Sequence, residues 1–409
     1  MDDLLSPFAD LLNGLDLNFS NQELTAFPDD LEEIAERVTG LNLSNNLLTT
    51  LPSWIGKFTR LRQLDLSHNR LTTFTPLVQL SSVRKIFVND NHLTALPDEI
   101  SKMVNLKHLI IDNNHLTVLP PSIGNLPRLK GLSINSNQLT ALPEEIGKLG
   151  NLTHLLVIDN LLTVVPPSIG NLSQLKMLVL STNRFSTIPA SIGNLSQLEK
   201  LYISTNQLTA LPESIGNLFR LKELNLWTNH LTALPESLGN LSQLKWLNVS
   251  TNQLTALPES FGNLSRLEKL RVSTNQLTAL PESIGNLSRL EKLHVSTNQL
   301  TALPESIINL NNLTTLLVDY NELTALPSSL GNLTSLQRLF VDNNKLSTIP
   351  SSIGNLSQME ILFIGDNPLD TIPACINDLS KLKMMGISQE QVPLVKETIT
   401  HQACILSKE

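Results

Sequence analysis

The sequence predicts an α/β solenoid curved into a horseshoe, with short parallel β-strands on the concave face, short 3₁₀ or single-turn α segments on the convex face, and helical caps at both ends. Three observations predict it. One sentence, in its fullest form L-x-x-L-x-L-x-x-N-x-L-T-A-L-P-E-S-I-G-N-L-x-x, recurs along the chain. Its Asn returns at a spacing of 23 residues almost throughout, at Asn46, Asn69, Asn91, Asn114, Asn137, Asn160, Asn183, Asn206, Asn229, Asn252, Asn275, Asn298, Asn321, Asn344 and Asn367. No linker composition interrupts the series. A fixed period of this length marks a fold built by stacking one turn on the next.

The elements follow in chain order. Residues 1–13 carry Leu4, Leu5, Phe8, Leu11 and Leu12 at helical spacing, which predicts an N-terminal helical cap over the open end of the stack. A weaker first copy has Gln22 in the Asn place. In each copy the L-x-L pair, such as Leu224 and Leu226, obeys the period-two rule for a strand with one buried face. The Asn three residues later lies among apolar neighbours, so its amide must bond to backbone groups of the adjoining turns. L-T-A-L-P then supplies two further core residues, and Pro with Glu-Ser-Ile-Gly predicts a short helical turn that Gly ends. Twenty-three residues leave no room for a full helix there.

Two spacings depart from the rule: Gln22 to Asn46 is 24 and Asn69 to Asn91 is 22. The second copy lacks L-P-x-x-I-G between Thr72 and Leu80, which predicts a local irregularity and no boundary. The repeat domain runs over residues 14–387 and closes on a strand unit at Leu382, Met385 and Ile387. Residues 388–409 form the C-terminal helical cap and tail, with Pro393 in the first turn and Val395, Ile399 and Ala403 on one face.

Composition narrows the function. The 409 residues are 41% hydrophobic but 4% aromatic, with a net charge of -8, so general affinity for nucleic acid or acidic membranes is not expected. Cys375 and Cys404 make no disulfide framework, which predicts a reducing, cytoplasmic setting. The opening MDDLLSPFADLLNGLDL has acids where a signal peptide has bases, and no apolar run reaches membrane-spanning length. The many N-x-[ST] triplets are by-products of the G-N-L-S segment, and Cys404 lies too far from the last residue for a prenylation box.

No constellation for catalysis or cofactor binding is present: H-E-x-x-H, C-x-x-C and G-x-S-x-G are absent, and the glycines recur as turn residues. The best metal candidate pairs His108 and Asp112 with His154 and Asp159. The two histidines share one strand column but stand two strands, about 10 Å, apart, too far for one zinc without a third ligand. No enzyme, metal or cofactor is therefore predicted.

What differs between copies carries the information. Residues 267–284 and 290–307 are identical except that the first has Arg271 where the second has His294. Only five of every 23 positions lie on the concave face, yet Tyr202, Trp227, Trp246 and Tyr320 all map there, with Trp54 alone in a return limb. Tyr and Trp are the residues most enriched at binding hot spots. The central outward column reads Phe87, Ile110, Ser133, Leu156, Val179, Tyr202, then Asn225, Asn248, Arg271, His294, then Leu317, Phe340, Phe363. Met177, Ile158, Trp227 and Trp246 extend the first apolar zone, and Lys200, Lys269 and Lys292 add charge to the middle. The predicted partner-binding residues are Phe87, Ile110, Leu156, Ile158, Met177, Val179, Tyr202, Trp227, Trp246, Lys269, Arg271, Lys292 and His294. The bland alternative is that these side chains pack on one another across neighbouring strands. For Phe340 and Phe363, the alternative is cover from the C-terminal tail.

The motif L-T-x-L-P-x-x-I-G-N-L at this spacing is the leucine-rich repeat pattern. It resembles the Ras-group intracellular leucine-rich repeat proteins, the type also found beside the GTPase of ROCO proteins, and the resemblance covers residues 17–390. It implies a scaffold that holds another protein on its concave face; the GTPase and kinase parts of multidomain relatives are absent. A chain of near-identical copies is also similar to the repeat effectors that intracellular bacteria deliver into host cells, which implies a host signalling or small-GTPase-pathway protein as partner. Recognition of a carbohydrate or small ligand by the aromatics, and an unrecognised enzyme, are the alternatives. A monomer is expected, with no nucleic acid and no integral membrane association.

Overall fold

The computed structural model describes residues 14–398 and 404–408. The N-terminal cap expected over residues 1–13, and Ile399 and Ala403 of the C-terminal cap, lie outside them. The chain divides into two compact units, residues 1–200 and 201–409.

In the first unit the strands are β1 (Leu15–Asn18), β2 (Val38–Asn42), β3 (Gln63–Asp65), β4 (Lys85–Phe87), β5 (His108–Ile110), β6 (Gly131–Ser133), β7 (His154–Leu156) and β8 (Met177–Val179), each parallel to the next. β9 (Lys200–Tyr202) follows at the division. In the second unit come β10 (Glu223–Asn225), β11 (Trp246–Asn248), β12 (Lys269–Arg271), β13 (Lys292–His294), β14 (Thr315–Leu317), β15 (Arg338–Phe340), β16 (Ile361–Phe363), β17 (Met384–Ser388) and β18 (Cys404–Lys408), again parallel. Each unit is an α/β solenoid with strands on one face and short 3₁₀ turns on the other.

Most strands are three residues long because the chain turns immediately afterwards. The residue before each repeated Asn takes a left-handed conformation, from Asn45 (φ 55°) to Asp366 (φ 52°), and in six successive copies that residue is Thr, with φ of 56° at Thr182 and 57° at Thr251. A β-branched side chain is disfavoured there. The inter-repeat bonds nevertheless continue through the turn: Val249 N donates to Arg271 O at 2.8 Å, Thr251 N to Ser273 O at 2.9 Å and Asn252 N to Thr274 O at 3.1 Å.

The Asn side chains form the expected ladder. Asn91 Nδ2 donates to Leu66 O (2.9 Å), Val88 O (3.1 Å) and Asn89 O (3.2 Å), while its Oδ1 accepts from Leu71 N (2.9 Å). Each rung thus ties its own turn to the copy before it. Gln22 is not a rung. It is exposed, and its backbone N–H instead donates to Asn46 Oδ1 at 3.1 Å. At the other end, Gln391 Nε2 donates to Ile364 O (3.3 Å) and Asn367 O (3.0 Å), which closes the ladder where the next Asn is missing.

The return limbs are 3₁₀ turns such as Glu213–Asn217, entered through an extended Pro212 (φ -70°, ψ 148°) with Ile215 fully buried. The glycine does not end the turn in a left-handed cap: it is the fourth of five 3₁₀ residues, and among the described residues no glycine has positive φ. Its reason is space. A Cβ on Gly216 would come within 2.3 Å of Ser237 O in the following copy.

The short copy adjusts at one point. Its turn, Thr75–Gln79, follows directly on Phe74, which takes the cap position in a helical conformation (φ -89°, ψ -15°) where most other copies have an extended proline. One residue is lost, yet Phe74 and Leu77 remain fully buried. The long first copy holds helix α1 (Leu31–Ile34), a 3₁₀ turn Ala35–Arg37, and a register shift between Leu15 and Asp16 against β2. Phe27, Trp54 and Phe58 pack there, with ring centroids 5.4 Å apart for Phe27 and Trp54.

After β17, a capping box between Ser388 and Gln391 starts a 3₁₀ turn that leads into α2 (Val392–Thr398), with Val395 buried. Beyond it the tail is extended as β18, parallel to β17 with Gly386 opposite Leu406. No helix among the described residues is long and apolar enough to cross a membrane.

Candidate interaction surface on the strand face

In the first unit the parallel register places Phe87, Ile110, Ser133, Leu156 and Val179 in one row of adjacent strands. Phe87, Ile110 and Leu156 are half-buried, whereas Val179 is 6% exposed. Met177, half-buried, lies beside His154, and Ile158, also half-buried, follows β7. A polar network interrupts the row. Ser133 Oγ donates to Asp112 Oδ1 at 2.8 Å, Asn135 N donates to the same oxygen at 2.7 Å, and Asn135 Oδ1 accepts from Ile158 N at 2.8 Å.

His108 and His154 flank Gly131 in register, and a Cβ on Gly131 would come within 2.7 Å of His108 Nδ1. Burial holds the His108 imidazole below its usual pKa, and the charges of Lys85, His154, Lys130 and Lys107 add to the effect. Among the described residues, no group of three or more His, Cys, Asp or Glu could hold a metal ion.

In the second unit Tyr202 and Trp246 meet edge to face, with centroids 6.2 Å apart. The Tyr202 hydroxyl donates to the Glu223 carboxylate. Burial raises its pKa, and the hydrogen bond and charge of Glu223 raise it further. Around this pair runs a groove of about 620 Å³ lined by Tyr202, Glu223, Trp246, Lys269 and Arg271, with Lys222, Lys245, Asn225 and Glu268 completing it. Lys245 is paired with Glu268 at 2.9 Å.

Register sets Trp246 beside Lys269 and Lys269 beside Lys292, and likewise Asn248, Arg271 and His294 in the parallel row. His294 Nε2 is buried without a hydrogen-bond partner. Burial lowers the His294 pKa to about 4, aided by the charges of Arg271 and Lys292.

Two of the four aromatics are not in strands. Trp227 and Tyr320 lie in the turns beyond β10 and β14, 46% and 52% exposed, Tyr320 in the left-handed position at φ 53°. Phe340 and Phe363 pack together at 4.6 Å, and Phe363 lies over Gly386, whose Cβ it would displace. Sequence reasoning missed the contribution of the column before each strand, Lys222, Lys245 and Glu268, which lines the groove. Its signal was available in the two variable letters of L-x-x-L. It also missed Phe219, 59% exposed on the return side where most copies have Ser.

The comparisons agree with this architecture. The family model described as a leucine-rich repeat region matches residues 122–210, 209–294 and 270–344, and related repeat models match 36–79, 81–139 and 335–356. A leucine-rich repeat protein of Leptospira interrogans is similar at 34% identity over 94% of this chain and 99% of its own, with a TM-score of 0.84. A plant peptide hormone receptor, RGFR1 in complex with RGF2, is similar at 29% identity over 91% of this chain and 67% of its own, with a TM-score of 0.70. An internalin of Listeria monocytogenes shares the fold at 22% identity, covering 87% and 88%, with a TM-score of 0.64. Proteins of this architecture commonly mediate protein–protein interaction. With its stacked strands, Asn ladder and matching repeat models, the chain belongs to the leucine-rich repeat family.

Proposed function

We propose that the chain is a non-catalytic scaffold that binds a partner protein on its strand face, chiefly through Tyr202, Trp227, Trp246, Lys269, Arg271, Lys292 and His294. One observation carries this reading. Copies otherwise nearly identical differ at outward strand positions, and those positions gather two aromatics and two cations, Lys269 and Arg271, around a groove, with Lys292 in register beside Lys269. The apolar residues of the first unit's strand face, Phe87, Ile110, Leu156, Ile158, Met177 and Val179, are assigned to the same activity as a separate contact area. Val179 contributes least, since little of it reaches solvent.

The finer reading is a bacterial effector acting on a host protein. It is supported by the near-identity of residues 267–284 and 290–307, a mark of recent internal duplication.

The test is capture from a lysate with the parent chain, with the Tyr202→Ala, Trp227→Ala, Trp246→Ala triple variant, and with Phe219→Ala as a control for an exposed aromatic elsewhere. A protein retained by the parent and the control but lost by the triple variant, with unchanged circular dichroism, is the expected result. Equal recovery by all three removes the proposal.

A further inference from the structure

We infer that the groove of the second unit takes an acidic segment of the partner, with its carboxylates received by Lys269, Arg271 and Lys292 and its chain lying against Trp246. This rests on the reading of the strand face as a protein-binding surface and names the chemistry of what binds.

Several lysines of this chain are ion-paired across neighbouring copies. Lys245 is paired with Glu268, Lys345 with Glu322 and Lys383 with Glu360, each a carboxylate one copy away in the stack at 2.9 to 3.1 Å. On β12 and β13 cations stand side by side instead. Lys269 stands directly opposite Lys292, and Arg271 opposite His294. Among the described residues none of the three cations has a carboxylate within ion-pair distance. Like charges facing one another across a strand pair oppose the pairing they sit on. Among the described residues no ion pair to Lys269, Arg271 or Lys292 offsets that repulsion, in a chain whose net charge is -8.

The two rows also have a sense of direction. Trp246, Lys269 and Lys292 run across β11, β12 and β13, so an apolar face leads into a cationic one. Arg271 is exposed and Lys269 and Lys292 are half-buried, their stems on the sheet and their charges reachable. A carboxylate laid on this face can bond to Arg271 and to the two lysines, whereas His294 Nε2 is buried and stays out of its reach. Charge-assisted bonds of this kind are the stronger class, and arginine offers two donors in the geometry of a carboxylate. The two acids that line the groove are already occupied: Glu268 by Lys245 and Glu223 by Tyr202.

The test uses the full chain and two synthetic probes, an Asp- and Glu-rich peptide containing one Leu and its Asn and Gln counterpart, read by tryptophan fluorescence and calorimetry. The acidic peptide is expected to bind, to weaken steeply between low and high salt, and to lose at least tenfold in affinity with the Lys269→Gln, Arg271→Gln, Lys292→Gln variant. Lys57→Gln, a surface change in the first unit, should bind as the parent does. Equal binding of the neutral peptide, no binding of the acidic one, or undiminished binding by the triple glutamine variant overturns the inference. So does competition by inorganic phosphate at equal concentration, which would make the seat a general anion site, or patch-dependent self-association on a sizing column. Loss of the captured partner in the aromatic variant alone, with full capture by the glutamine variant, overturns the acidic assignment while the scaffold reading stands.

Discussion

A single amide accounts for much of what each copy needs. Asn252 accepts from Leu231 N at 3.0 Å and donates to Leu226, Val249 and Ser250 carbonyls at 3.0 to 3.3 Å, all out of reach of water. Asn252→Ala leaves those groups unsatisfied and is expected to cost about 1–3 kcal/mol in a denaturant titration. Gln22→Ala, at an exposed side chain, should change stability by less than about 0.5 kcal/mol. The left-handed position argues the other way. Thr274 holds φ 56° against the preference of a branched side chain, so Thr274→Asn should raise the denaturation midpoint, the gain being of order 1 kcal/mol. His294 provides a pH test. Its folded pKa of about 4 lies below its unfolded value near 6.5, so between these values the unfolded chain binds more protons. Stability from this group is present above pH 6.5 and falls as pH drops toward 4. His294→Gln should flatten the fall in thermal midpoint measured across that window.

At the scale of the element, the unit of tolerance is one whole copy. Parallel neighbours meet through strand, Asn and 3₁₀ turn together, each contacting the same atoms one period away, so removing residues 253–275 rejoins equivalent surfaces. That deletion is expected to preserve circular dichroism and cooperative unfolding, whereas removing residues 253–264 alone breaks the ladder and should produce an unfolded or aggregated product. The strands, turns and core leucines were legible because apolar spacing reports directly which side chains turn inward. Other features were not. Trp227 and Tyr320 were placed on strands because strand length depends on where the left-handed turn begins. The role of Gly216 was misread because it depends on Ser237 O, an atom in another copy. Gln391 could not be recognised as the last rung, since it sits one residue off the period and reaches the ladder only through the capping turn at Ser388.

For the molecule as a whole, stacked repeats give stability as a sum of local terms between neighbours, and a chain of this length is expected to depart from two-state unfolding. Calorimetry should return an enthalpy larger than the van't Hoff value; equality of the two would contradict the additive picture. The sequence by itself determined the repeat, its parallel strands and 3₁₀ turns, the Asn ladder and the outward letters that vary, because a fixed period makes each copy's environment a replica of the last. Only the tertiary structure decided which outward letters act together. Pairing across strands set Lys269 against Lys292 and Arg271 against His294, turned Tyr202 toward Glu223 and Trp246, and joined Ser133 to Asp112. Those pairings depend on register and side-chain reach between copies, and neither is a property of any one copy's sequence.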